Sequence, residues 1–137
     1  MNRNRKILCG VYALLALAGL IGTWSHNLAF IAQLEDSGFI SGFLAFWPAL
    51  FANHATSSIA LDILVLTTVC SIWMVVEGCR VGVPHAWLFI PFAIFVAIAV
   101  SFPLFLIARE VALAKAEADP PTQVEASSDA RTPPRHE

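Results

Sequence analysis

Asp62 is a carboxylate inside an otherwise apolar run, IALDILVLTTVCSIWMVV, residues 59–76. At the centre of a membrane helix such a group costs about 2.5–3.5 kcal/mol on insertion scales, so it needs a partner or a purpose. Two roles fit the sequence. After Asn53-His54-Ala55-Thr56-Ser57-Ser58, Asp62 falls in the first turns of a helix that Thr56, Ser57 or Ser58 could cap, where the positive end of the helix dipole favours an anion. Facing a bundle interior instead, it would handle a proton or position a substrate.

Glu77 follows on the same helix, fifteen residues later. At 100° per residue the two carboxylates differ by roughly 60° in azimuth and by roughly 22 Å along the axis. They share a broad face with Leu66, Val69 and Trp73 but cannot form a dyad, which needs roughly 5–10 Å. Glu77 lies three residues before Arg80, and Gly82 and Pro84 follow. The spacing predicts an interfacial salt bridge at the helix end, ahead of a turn. His26 and His54 could converge with Glu35 and Asp36 at one membrane boundary. No HxxxH, HExxH or CxxC spacing accompanies them, so they are weak metal candidates, and no cofactor is expected. Cys9, Cys70 and Cys79 are odd in number and lie in apolar runs or a loop. They read as free, small apolar residues.

The elements that would position these groups are set by charge segregation. Only 13% of the 137 residues are charged and 58% are hydrophobic, against about 25% charged in a soluble domain. Between Ile7 and Ala108 the charged residues are Glu35, Asp36, Asp62, Glu77 and Arg80 alone. So few charges cannot cover a water-soluble surface, and the lipid bilayer is the expected solvent. The net charge of −2 offers no basic field for nucleic acid.

The expected fold is all-α integral membrane, with three transmembrane helices at 7–24, 59–76 and 87–108. The basic residues of segment 1–6, Arg3, Arg5 and Lys6, predict a cytoplasmic N-terminus in a bacterial inner membrane. A cleaved signal peptide is the rival for the first run, with Ala16-Leu17-Ala18 as its cleavage site. Apolar character continuing to Trp24 favours a retained helix. Residues 38–52 are short for a crossing, broken by Pro48 and rich in aromatics, and read as a re-entrant or interfacial amphipathic segment. Gly38 and Gly42, and Ala18 and Gly22, have helix-contact spacing. Pro91 is expected near the start of the third span, and Pro103 to kink or end it. From Arg109 a short helical extension is expected to give way to a disordered polar tail reaching residue 137.

The middle of the chain resembles the small bacterial membrane family of unknown function DUF 2834. The resemblance rests on Phe51-Ala-Asn53, Asp62 nine residues later, then Trp73…Glu77-x-x-Arg80-x-Gly82…Trp87. It covers about residues 7–110 and implies a multi-pass architecture with Asn53, Asp62, Glu77 and Arg80 as positions of interest. It implies no activity. Three functions are compatible with these features. One is a non-catalytic accessory or assembly subunit, packed on a larger membrane complex or in a homo-oligomer. Another is a lipid- or isoprenoid-modifying enzyme with Asp62 as general acid. The third is an oligomeric channel or transporter subunit.

Overall fold

The computed structural model describes residues 2–34 and 38–118. Glu35, Asp36 and the tail from Asp119 to Glu137 lie outside the described residues. All regular structure within them is helical: α1 is Arg3–Ala32, α2 Phe39–Leu50, α3 His54–Val81, α4 Phe89–Phe95 and α5 Ile98–Ala118, with a 3₁₀ turn at Ala86–Leu88 before α4.

Helices α1 and α3 contain the runs 7–24 and 59–76 and extend past them at both ends. At a rise of ~1.5 Å per residue they reach roughly 45 and 42 Å, and both are long and apolar enough to cross a membrane by length and composition. The side chain of Asn2 caps α1 by accepting from the Arg3 N–H. The cap of α3 is Asn53, not the expected Thr56, Ser57 or Ser58. Its side chain accepts from the N–H groups of Ala55 and Thr56 at 3.0 Å each. The Thr56 hydroxyl in turn accepts from the Asn53 N–H, a reciprocal box that satisfies the free donors of a helix start. At its other end α3 stops at Gly82, which takes the left-handed conformation (φ +73°) that a side chain would disfavour.

Residues 87–108, expected as a third crossing helix, form two helices folded back on each other. The chain breaks at Val96 and Ala97, between α4 and α5. Ser101, fully buried, donates its hydroxyl to the Phe89 carbonyl at 2.7 Å and so ties the two arms together. Pro91 sits in the first turn of α4, where its missing N–H costs little. Pro103, expected to kink or end the helix, is passed in the second turn of α5, which continues through Arg109 to Ala118. Trp87 and Arg109, which flank the two ends of the expected span 87–108, therefore lie toward the same end of the molecule.

This hairpin stands between α1 and α3, which pack on it far more than on each other. Antiparallel to α5, α1 comes so close at Gly19 that a Cβ there would lie 2.9 Å from the Ala99 carbonyl oxygen. Pro103 has no N–H to offer that same carbonyl, so the glycine lets α1 approach an acceptor that its own helix leaves free. Beyond the hairpin tip, α2 bridges α1 and α3. Gly42 is buried against Ile31, Phe46 meets Phe30 edge-on and Phe43 stacks on Phe95 at the tip. Spanning ~18 Å for its twelve residues, α2 is shorter than a hydrocarbon core.

The tight core lies at the end where the hairpin opens. Met74 and Phe105 are fully buried there with Val83 and Ala86, and the rings of Trp73 and Phe89 meet Phe105 edge-on. Gly78 admits the Ala86 methyl, with which a Cβ on residue 78 would clash.

Candidate functional site

At the packed end, six charged side chains alternate in one line. Arg80 donates to Glu77 through both Nε and Nη2, at 2.7 and 2.9 Å. Arg109 donates Nε to Glu77 Oε1 at 2.7 Å and Nη1 to Glu110 Oε1 at 2.9 Å. Arg5 Nε lies 3.5 Å from Glu110 Oε2, and its two terminal nitrogens donate to the Glu117 carboxylate at 2.9 and 2.6 Å. The line joins the C-terminal turn of α3, the outer half of α5 and the first turn of α1. Its centre is sheltered and its ends are wet: the Glu77 and Glu110 side chains are 8% and 11% exposed, Arg80 and Glu117 70% and 67%. Each sheltered carboxylate has two guanidinium neighbours, so burial leaves no charge uncompensated. The spacing of Glu77 and Arg80 announces their pair. Arg109, Glu110 and Arg5 carry no such signal, because only the folded-back hairpin brings them to Glu77.

Asp62 and Glu77 do not share an environment, although they share a helix face. The hairpin covers that face only near its Glu77 end. Asp62 lies on the uncovered part, exposed, and its carboxylate has no hydrogen-bond or ion-pair partner among the described residues. It stands at one end of a stripe of exposed apolar side chains, Val65, Leu66, Val69, Ile72 and Val76. Asn53 serves as the helix cap. His26 and His54 are both exposed, toward the end of the bundle away from the ion-pair line. Among the described residues no three His, Cys, Asp or Glu side chains are placed to hold a metal ion.

A feature without a sequence signal is a cavity of about 470 Å³ at the other end of the hairpin. It opens where the tip, Ala93 to Ala99, meets α2, with α1 from Thr23 to Ile31 and α3 from Ala60 to Thr67 as side walls. Its volume falls within the roughly 300–1,000 Å³ typical of small-molecule sites. Asp62 is not part of its wall, although its neighbour Ile63 is.

Among known proteins, the profile of a family described as a protein of unknown function, DUF2834, matches residues 11–111. No curated protein and no solved structure matches the chain.

Proposed function

The chain belongs to the DUF2834 family of proteins of unknown function, and from that premise we propose that it is a non-catalytic accessory subunit of a bacterial inner-membrane complex. In this reading α1 and α3 cross the bilayer, with the N-terminus cytoplasmic. The hairpin enters from the cytoplasmic side, and α2 lies toward the opposite boundary. The exposed apolar faces of α1 and α3 suit lipid or a partner helix equally well. The observation that favours a partner is Asp62.

A carboxylate on a lipid-facing stripe, with no donor among the described residues, remains costly even one or two turns inside the boundary. A second membrane helix with a Lys, an Arg or another hydrogen-bond donor at that depth would relieve the cost, and the apolar stripe beside Asp62 would supply the packing. The arrangement gives less support to general-acid chemistry, since Asp62 faces away from the cavity in which a lipid substrate would lie.

The test is purification of the tagged full chain from native membranes in mild detergent, with mass spectrometry of the companions. A stoichiometric membrane partner is expected, lost on Asp62→Leu while the variant stays monodisperse. Recovery of the chain alone or only as homo-oligomers, or a partner indifferent to Asp62→Leu, would overturn the reading.

A further inference from the structure

We infer that the cavity between the hairpin tip and α2 binds the head of an isoprenoid quinone: a neutral, flat ring carrying carbonyl oxygens, with an apolar tail leading out to the bilayer. The inference rests on the membrane reading above but not on the partner.

The first observation is what the cavity's polar groups leave undone. In a membrane helix a hydroxyl ordinarily bonds back to a carbonyl of its own turn, as Thr68 does to Leu64 and Ser25 to Gly22. Thr23, Asn27 and Thr67 line the cavity, and their side chains make no hydrogen bond to any described residue. Trp24 also lines it with its ring, its indole N–H being buried without an acceptor among the described residues. Three donor-bearing side chains around one space match a ligand that carries acceptors. Leaving them unmatched is costly in a dry site.

The second observation is charge. Among the described residues no Lys, Arg, His, Asp or Glu contributes to the wall. A phosphate headgroup would arrive there without a countercharge, so an anionic lipid head does not fit, whereas a carbonyl or a hydroxyl does.

The third observation separates a ring from an alkyl alcohol. Trp24, Phe43, Trp47 and Phe95 all contribute to the wall, giving flat surfaces on which a planar ring gains more than a flexible chain. The volume admits a ring with the start of its tail, and the exposed apolar flank of α1 (Ile21, Leu28) leaves a lipid-facing surface for the remainder.

The experiment uses the full chain in phosphatidylcholine nanodiscs, titrated with a short-tailed ubiquinone analogue and read by tryptophan quenching. Trp24 and Trp47 stand at the cavity; Trp73 and Trp87 stand outside it. Saturable quenching is expected, and it should survive Trp87→Phe. The double variant Asn27→Leu/Thr67→Val should raise the half-saturating concentration at least about tenfold, as expected for the loss of two hydrogen bonds. Farnesol, which has the tail and a hydroxyl but no ring, should compete at least about tenfold more weakly than the quinone analogue.

Linear quenching that is the same in the double variant would mean partition into bulk lipid only, and would overturn the inference. Equal competition by farnesol would overturn the quinone in favour of a lipid alcohol. Alkaline carbonate extraction of native membranes separates the two levels. Release of the chain would sink the membrane reading, while retention without saturable quenching would sink the ligand alone. Circular dichroism of the double variant guards against reading a misfolded protein as a weak binder.

Discussion

Glu77 shows how far a single carboxylate's meaning depends on its neighbours. Its pairing with Arg80 follows from helix spacing alone, and that pair is local, formed wherever α3 is a helix. Its pairing with Arg109 spans 32 residues and exists only in the folded bundle. The two interactions therefore make different contributions. Arg80 is mostly exposed and adds little to tertiary stability, whereas Arg109 joins α3 to α5 from a sheltered position. At the far end of the same line, Arg5 and Glu117 also join distant helices, but Glu117 is largely in solvent, where ion pairs contribute about 0–1 kcal/mol. Double-mutant cycles on thermal unfolding in detergent, with Gln replacing each charged residue, should give a larger coupling for Glu77 with Arg109 than for Arg5 with Glu117. The Arg5–Glu117 coupling should also fade as salt is raised. Equal couplings would show that the line is a chain of surface pairs and not a clasp between helices.

Among the elements, α1 and α3 were legible as long apolar runs, because length and hydropathy are properties of a segment by itself. The hairpin was not. Between Phe92 and Pro103 the sequence holds no glycine and reads as one continuous apolar stretch. The break at Val96 comes from a run of aromatic and β-branched residues with weak helical preference, resolved by packing of the two arms and the Ser101 bond to Phe89. Glycine spacing was only partly informative. Gly42, predicted at a helix contact, is buried against Ile31, whereas Gly22, predicted likewise, has open space around it, and the close approaches at Gly19 and Gly78 had no spacing signal. Substitutions should separate these cases in sign. Gly78→Ala drives a methyl into Ala86 and should cost roughly 1–3 kcal/mol, the usual range for overpacking. Gly22→Ala meets nothing and should stabilise by up to about 1 kcal/mol through helix propensity. Chemical denaturation in micelles followed by circular dichroism checks both. If the two variants shift together, the close contact of α3 with the 3₁₀ turn is wrong.

The whole molecule is asymmetric along its length. One end is closed by Phe105, Met74 and the ion-pair line, while the other is left open between α1, α2 and α3 around a cavity. Both follow from the hairpin, which is too short to fill the space between the two long helices α1 and α3 and so packs one half of it. In the membrane reading proposed above, the same turn sets the topology. A single crossing helix at 87–108 would put Lys115 on the side opposite Lys6; the hairpin returns it, and the Arg5–Glu117 contact holds the two ends together. All six Lys and Arg among the described residues, Arg3, Arg5, Lys6, Arg80, Arg109 and Lys115, then fall at one end, the distribution that the positive-inside rule assigns to the cytoplasm. Cysteine labelling tests this directly, in a background where Cys9, Cys70 and Cys79 are replaced by Ser. Lys6→Cys and Lys115→Cys should react with a membrane-impermeant maleimide only in inside-out vesicles, and Ala52→Cys, at the α2 end, only in right-side-out ones. If residue 115 is labelled with residue 52, the segment crosses after all. The cavity would then lose its floor, because the hairpin tip that forms it would not exist.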